Sequence, residues 1–210
     1  MQANKNGYKT TALILGGAST FMLVFILLNI FNNGLSAFMY GIGFNQSALE
    51  IPLAWVIASV VTVGYIAFTT FGMSTVKENF FKCDWLKLVG IYAALTSGVL
   101  EELVFRRLLM DWLYSNDIGV IIQVLISGVA FGVAHFTWGL IKGSWRTGLG
   151  SAIATTVLGL LLAIVYIVAN RNILPAIMAH MVINMFLEPW MILHAVRETD
   201  EPKKEETSQE

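Results

Sequence analysis

LKLVGIYAALTSGVLEELVFRR, residues 86–107, decides how this chain is read. From Leu86 into Val104 the stretch is long and apolar enough to cross a hydrocarbon core about 30 Å thick, which takes about 20 residues in a helix. It nevertheless carries two adjacent glutamates, Glu101 and Glu102, just before Arg106 and Arg107. On insertion scales a charged group at the centre of a bilayer costs at least about 2.5–3.5 kcal/mol, so such groups face a protein interior and act there.

The rest of the chain has the same character. Of its 210 residues 56% are hydrophobic and 13% charged, where a soluble domain carries about 25% charged residues. With a mean hydropathy of +0.69, this is a chain whose solvent is lipid, and its length fits a single membrane domain. A formal net charge of -1 gives no sign of nucleic acid as a partner. The lone cysteine, Cys83, excludes an intrachain disulfide and is assigned no role.

Working outward, six stretches read as spans: residues 11–31, 51–71, 86–104, 120–140, 149–168 and 173–187. The first follows Lys5 and Lys9, but its apolar run is too long for a secretory signal and no small-x-small site follows, so it reads as a retained helix. Residues 34–44 are apolar, short and glycine-containing, and read as a re-entrant or interfacial piece. The expected fold class is therefore all-α, a polytopic transmembrane bundle of about six helices, or seven if that piece counts. Trp85, Trp112, Tyr114, Trp138, Trp145 and Trp190 fall near span ends, as interfacial aromatics do.

Basic residues orient the bundle. With six spans, Lys5, Lys9, Lys77, Lys82, Lys87, Lys142, Arg146, Arg197, Lys203 and Lys204 share one side, leaving Arg106, Arg107 and Arg171 on the other. The positive-inside rule then puts both termini in the cytoplasm. Residues 197–210 are charged, contain Pro202 and are expected to be disordered.

Three polar clusters interrupt the spans: Glu101 and Glu102 with Arg106; His135, with Phe131 one turn earlier; and His180 with Asn184. Residues at i and i+4 share a helical face, whereas neighbours point about 100° apart. Glu102 and Arg106 are thus expected to pair, which leaves Glu101 free for chemistry. A hairpin turn near residues 115–117 would put Glu101 about 22 Å and His135 about 27 Å from it, nearly level, with His180 about 12 Å beyond Arg171. All three clusters can converge. One such histidine or asparagine alone would read as a packing contact, and His194 reads as interfacial. The joint set favours function.

These residues resemble the CAAX prenyl endopeptidase and bacteriocin-processing (CPBP) family of intramembrane proteases. Its Glu-Glu-x-x-x-Arg, Phe-x-x-x-His and His-x-x-x-Asn motifs match Glu101-Glu102 to Arg106, Phe131 to His135 and His180 to Asn184, complete and in order, within residues 86–187. Arg107 departs from the glycine that often follows the motif arginine. The resemblance implies peptide-bond hydrolysis by an activated water: Glu101 as general base, His135 polarising the water, and His180 and Asn184 stabilising the oxyanion. It also implies a catalytic core over residues 86–196, preceded by two helices with their connections (1–85) and followed by the tail (197–210). No cofactor is favoured, because Asn184 is a poor zinc ligand and suits an oxyanion role. A divalent metal such as zinc held by Glu101, His135 and His180 stays open as the rival.

The expected partners are the lipid bilayer and a membrane-embedded or membrane-associated peptide or protein substrate, and the expected location is a bacterial plasma membrane. Bacteriocin self-immunity or peptide maturation suits the bacterial branch of the family, whereas eukaryotic members trim prenylated proteins. The positive-inside count places the hairpin tip, and with it the apparent mouth of the site, on the outer face. A competing reading is a membrane immunity or regulatory protein that binds a peptide or sensor protein without cutting it. A proton-relaying transporter is a weaker one, since no inverted repeat is evident.

Overall fold

In the computed structural model, which describes residues 2–137 and 144–200, every regular element among the described residues is helical. Helix α1 (Gln2–Asn33) ends at Gly34, whose φ of 84° suits a residue without a Cβ. There the chain turns into α2 (Leu35–Gly41). Phe38 and Ile42 bury against Ile26, Tyr166 and Ile173, so the 34–44 segment is a short helix and turn packed on the bundle. A 3-10 turn (Gln46–Leu49) leads to α3 (Pro52–Gly72), where Pro52 occupies a first-turn position that needs no N–H donor. Helix α4 (Ser74–Asn79) is short, and α5 (Trp85–Glu102) starts at an Asp84 cap that accepts from the Lys87 amide at 3.2 Å.

The third span does not stop near Val104. It runs through a π-helical turn (Leu103–Leu108) into α6 (Leu109–Ser115), a continuous apolar rod from Trp85 to Ser115. The chain reverses at residues 116–119, with Asp117 at φ 57° and the Ile118 amide on the Leu113 carbonyl. It returns as α7 (Val120–His135), giving the hairpin the spacing predicted. Helices α8 (Trp145–Val168) and α9 (Leu174–Asp200) complete the bundle. Among the described residues, five helices are long and apolar enough to span a membrane, and α7 is a shorter apolar one. Phe31 is 86% and Phe71 82% exposed, as suits helices whose outer faces meet lipid.

Helices α7 and α8 meet through small residues. A Cβ on Gly132 would lie 2.5 Å from the Ala152 carbonyl, and one on Gly159 would lie 3.0 Å from Gly128 Cα. Close backbone approach of this kind holds membrane helices together where the hydrophobic effect cannot.

The bundle has two distinct ends. At the hairpin end Arg171 Nη1 donates to Asp111 at 2.7 Å and Tyr166 to the same oxygen at 2.8 Å. At the opposite end Lys82 donates to the Tyr8 hydroxyl and pairs with Asp84 at 3.5 Å.

Several sequence expectations change. Trp190 is fully buried rather than interfacial, while Trp85, Trp112, Tyr114 and Trp145 are exposed. His194 lies within α9, its Nδ1 3.0 Å from the Thr75 hydroxyl. Lys87 is inside α5, not in a connection, and Arg106 is fully buried, so neither counts toward the charge of a membrane face. Residues 197–200 continue α9. Trp138, Lys142 and residues 201–210 lie outside the described residues.

Candidate active site

Two features shape the polypeptide around Glu101 and Glu102. The first is the π turn that begins one residue later. It loosens the i→i+4 ladder, and single π turns recur at functional sites. The second is Gly98, where a Cβ would come within 2.5 Å of Met181 Cγ, so α5 and α9 approach closely one turn before Glu101. Together they bring the carboxylates of α5 against the imidazoles of α7 and α9.

Glu102 and Arg106 pair as their spacing predicts. Both are fully buried, with Nη2 donating to Oε1 at 3.3 Å. Nε lies 2.9 Å from Oε2 with its N–H pointing off that line, so this contact is Coulombic rather than a straight hydrogen bond. Arg106 Nη1 also donates to Ser127 Oγ at 2.8 Å, and that hydroxyl donates to the Phe105 carbonyl at 2.9 Å, pinning the π turn to α7. The guanidinium sits 5.3 Å from the centre of the Phe131 ring. A buried charge pair is tolerable when further hydrogen bonds satisfy it, and Ser127 and His180 supply them.

His180 Nδ1 is 2.9 Å from Glu102 Oε1. A carboxylate only accepts, so that nitrogen carries the proton. Its Nε2 is 3.1 Å from Asn184 Nδ2, which also donates to Ser97 Oγ at 3.1 Å. His135 Nδ1 donates to the Phe131 carbonyl at 2.8 Å, which fixes its tautomer in the same way. Phe131 fills the space between the rings, 4.5 Å from His135 and 5.5 Å from His180, centre to centre.

Glu101 Oε2 therefore faces two imidazole nitrogens whose partner nitrogens are already committed. It lies 3.7 Å from His135 Nε2 and 3.8 Å from His180 Nε2, is shielded from the exterior and has no hydrogen-bond partner. These gaps are too long for direct bonds and short enough for one water oxygen to reach the carboxylate and a ring nitrogen together. A cavity of about 50 Å³ lined by His135, His180 and Asn184 adjoins them. A water needs about 10–15 Å³ of such space, so several fit.

The residues that line the cavity lie away from the hairpin tip, where the sequence placed its mouth. Its other lining residues include Ser151 and Thr155 near the start of α8 and Met191 and Ile192 in the second half of α9, toward the end that holds Lys82. Glu101 itself lies near the middle of the rod, 14 residues or about 21 Å of helix from Ser115 and 16 residues or about 24 Å from Trp85.

As a metal site the set is poor. Among the described residues no group of three or more His, Cys, Asp or Glu is arranged to hold an ion. Asn184 already engages the His180 nitrogen that would face one.

All six residues singled out in the sequence (Glu101, Glu102, Arg106, His135, His180 and Asn184) come together. Sequence reasoning missed Ser97, Ser127 and Glu188. Each lies one turn along the face of a chosen residue: Ser97 before Glu101, Ser127 before Phe131, Glu188 after Asn184. Extending the four-residue ladder by one rung would have found them.

The fold and the site describe an integral membrane protein with ionisable groups gathered inside a helical bundle. Residues 84–186 match the family described as Rce1-like, type II CAAX prenyl endopeptidase Rce1-like, which covers α5 through most of the α9 site. Over this segment, just under half of its length, the chain is similar to a family of membrane endopeptidases. No curated protein and no solved structure matches the chain.

Proposed function

We propose that the chain is an intramembrane endopeptidase that hydrolyses a membrane-associated peptide or protein with a water activated by Glu101 and His135. The observation that carries this reading is the unpartnered Glu101 Oε2 facing both imidazole nitrogens beside a cavity of water size. Water held between Glu101 and His135 Nε2 loses a proton to Glu101 as its oxygen attacks the scissile carbonyl carbon. The tetrahedral oxyanion is held by His180 and Asn184. For this His180 takes a second proton from the cavity water, so that its Nε2–H and the Asn184 N–H it releases both donate to the oxyanion, while Nδ1–H stays on Glu102. As the carbon–nitrogen bond breaks, Glu101 returns the proton to the leaving amine, and the water oxygen stays in the new carboxyl group. Glu102, Arg106 and Ser127 keep His180 oriented. Donors aimed at developing charge act most strongly where water is excluded, and a general base contributes roughly 10²–10⁴-fold.

With Arg106 and Lys87 removed from the charge count, the hairpin end keeps only Arg107 and Arg171. Lys9, Lys77, Lys82, Arg146 and Arg197 stand at the other end. The positive-inside rule then puts that end, and the cavity mouth, in the cytoplasm of a bacterial plasma membrane with both termini inside. A substrate reached from the cytoplasmic face fits both trimming of a lipid-anchored C-terminus and maturation of a peptide before export, including a bacteriocin self-immunity role. The core at residues 86–196 carries the chemistry, and α1 and α3 brace it.

The deciding experiment reconstitutes wild type and Glu101→Gln in liposomes with membrane-anchored fluorogenic peptides, with and without a chelator. Cleavage that the chelator leaves intact and Glu101→Gln abolishes supports glutamate-activated water. Chelator-sensitive cleavage would move zinc to the front. Cleavage that survives Glu101→Gln would sink the mechanism, and a protein that binds peptides without cutting them would be an immunity or regulatory factor.

A further inference from the structure

Glu188 is an intramembrane carboxylate that the mechanism does not use. It stands two turns beyond His180 and one beyond Asn184 on the same face of α9, and it lines the catalytic cavity. Its Oε2 is shielded from the exterior and has no hydrogen-bond partner, and no ion pair joins Glu188 to a described residue. Arg106, buried at the site, is committed to Glu102 and Ser127. Lys87, which also reaches α9, donates to the Met185 carbonyl instead. A carboxylate in an apolar bundle without a partner costs stability, and an ionisable group kept inside a membrane marks a place where something binds.

We propose that Glu188 is a specificity subsite that receives a cationic nitrogen of the substrate, a lysine or arginine side chain or a free amino terminus. The strongest partner for a carboxylate is a charged N–H donor. Eight residues of helix place Glu188 about 12 Å from His180. An extended peptide advances about 3.3 Å per residue, so the cation sits three to four residues from the bond being cut. Ser151, across the cavity on α8, offers its hydroxyl to a second N–H of the same group. This subsite rests on the protease reading for its register, though not for its existence.

The test uses a membrane-anchored fluorescent peptide series with one lysine walked along the chain. Each member is paired with its Nε-acetyl-lysine counterpart, and the series is made with free and acetylated amino termini. Binding is read by polarisation on Glu101→Gln protein in phosphatidylcholine nanodiscs, and cleavage on wild type. The subsite predicts at least tenfold tighter binding of one lysine register over its acetylated twin, and a ratio near one in a Glu188→Gln background. A preference that follows the amino terminus instead identifies the terminal ammonium as the source. Equal binding of acetylated and free peptides, or a preference unchanged by Glu188→Gln, overturns the subsite and leaves Glu188 solvated by water only. Because the acetylation arm uses native Glu188, it stands even if Glu188→Gln does not fold. Glu188-dependent binding without cleavage would preserve the subsite while the protease reading fails. Cleavage indifferent to lysine would do the reverse.

Discussion

Lys87 donates to the carbonyl of Met185 at 2.6 Å, the carbonyl that Pro189, four residues further on, leaves without its helical N–H. A lysine from α5 thus repairs the gap that a proline opens in α9, one turn past Asn184. Gly90 makes room for it: a Cβ there would sit 2.7 Å from Pro189 Cγ.

Replacing Lys87 with methionine keeps most of the buried stem and strips the donor, leaving the carbonyl orphaned. A loss of about 1–3 kcal/mol is expected. Pro189→Ala supplies an N–H to the same carbonyl, so the double variant recovers most of that loss. Thermal unfolding of all four proteins in one detergent gives the cycle, and additive effects would show that the two residues act separately.

Arg106→Met leaves the Glu102 carboxylate buried without its cation, and about 3–5 kcal/mol of destabilisation is expected. Arg106→Met with Glu102→Gln removes both charges and should recover part of it. Ser127→Ala breaks the links to Arg106 and to the Phe105 carbonyl at a cost of about 1–3 kcal/mol. It should also lower turnover, because the π turn beside Glu101 loses its tie to α7. Unfolding and liposome cleavage rates read out both effects.

Gly132→Ala drives a Cβ to 1.9 Å from the Thr156 hydroxyl and 2.5 Å from the backbone oxygen of Ala152, which has nowhere to go. Forced separation of α7 and α8 should cost at least about 1–3 kcal/mol and displace His135, one turn on. Gly64→Ala meets nothing within 4 Å and serves as the control. Equal melting of the two variants would contradict close packing at Gly132.

The hydrogen bond from Lys82 to the Tyr8 hydroxyl, with the Asp84 charge beside it, raises the lysine above its usual range. A raised folded value means its contribution is complete below the ordinary lysine pKa and fades as pH climbs through the folded one. Stability should therefore not respond to this pair between pH 6 and 9, and should fall above about pH 10.4. Lys82→Met should flatten that alkaline fall in a melting-temperature profile.

Much of the site is legible in the amino-acid sequence because its signals are local. Glu102 with Arg106 and His180 with Asn184 are spaced by a helical turn, and that periodicity belongs to the backbone whatever surrounds it. The apolar runs that carry them mark the spans for the same kind of reason. Lys87 and Trp190 mislead because each sits near the end of an apolar run, where a polar or amphipathic tip reads as interfacial. Only the proline-opened carbonyl and the α5–α9 contact reveal why Lys87 is inside.

Sequence alone determined a helical membrane protein, the order of its polar clusters, which glutamate is paired and which is free. Tertiary structure decided that the free glutamate meets two histidines, that Glu188 joins their cavity, and which residues of α8 and α9 complete its lining. Helical spacing is set within a few residues by the backbone's own hydrogen bonds. The distance between helices is set by which small residues let them touch, here Gly98 on α5 and Gly132 and Gly159 between α7 and α8, and that contact has no local signature.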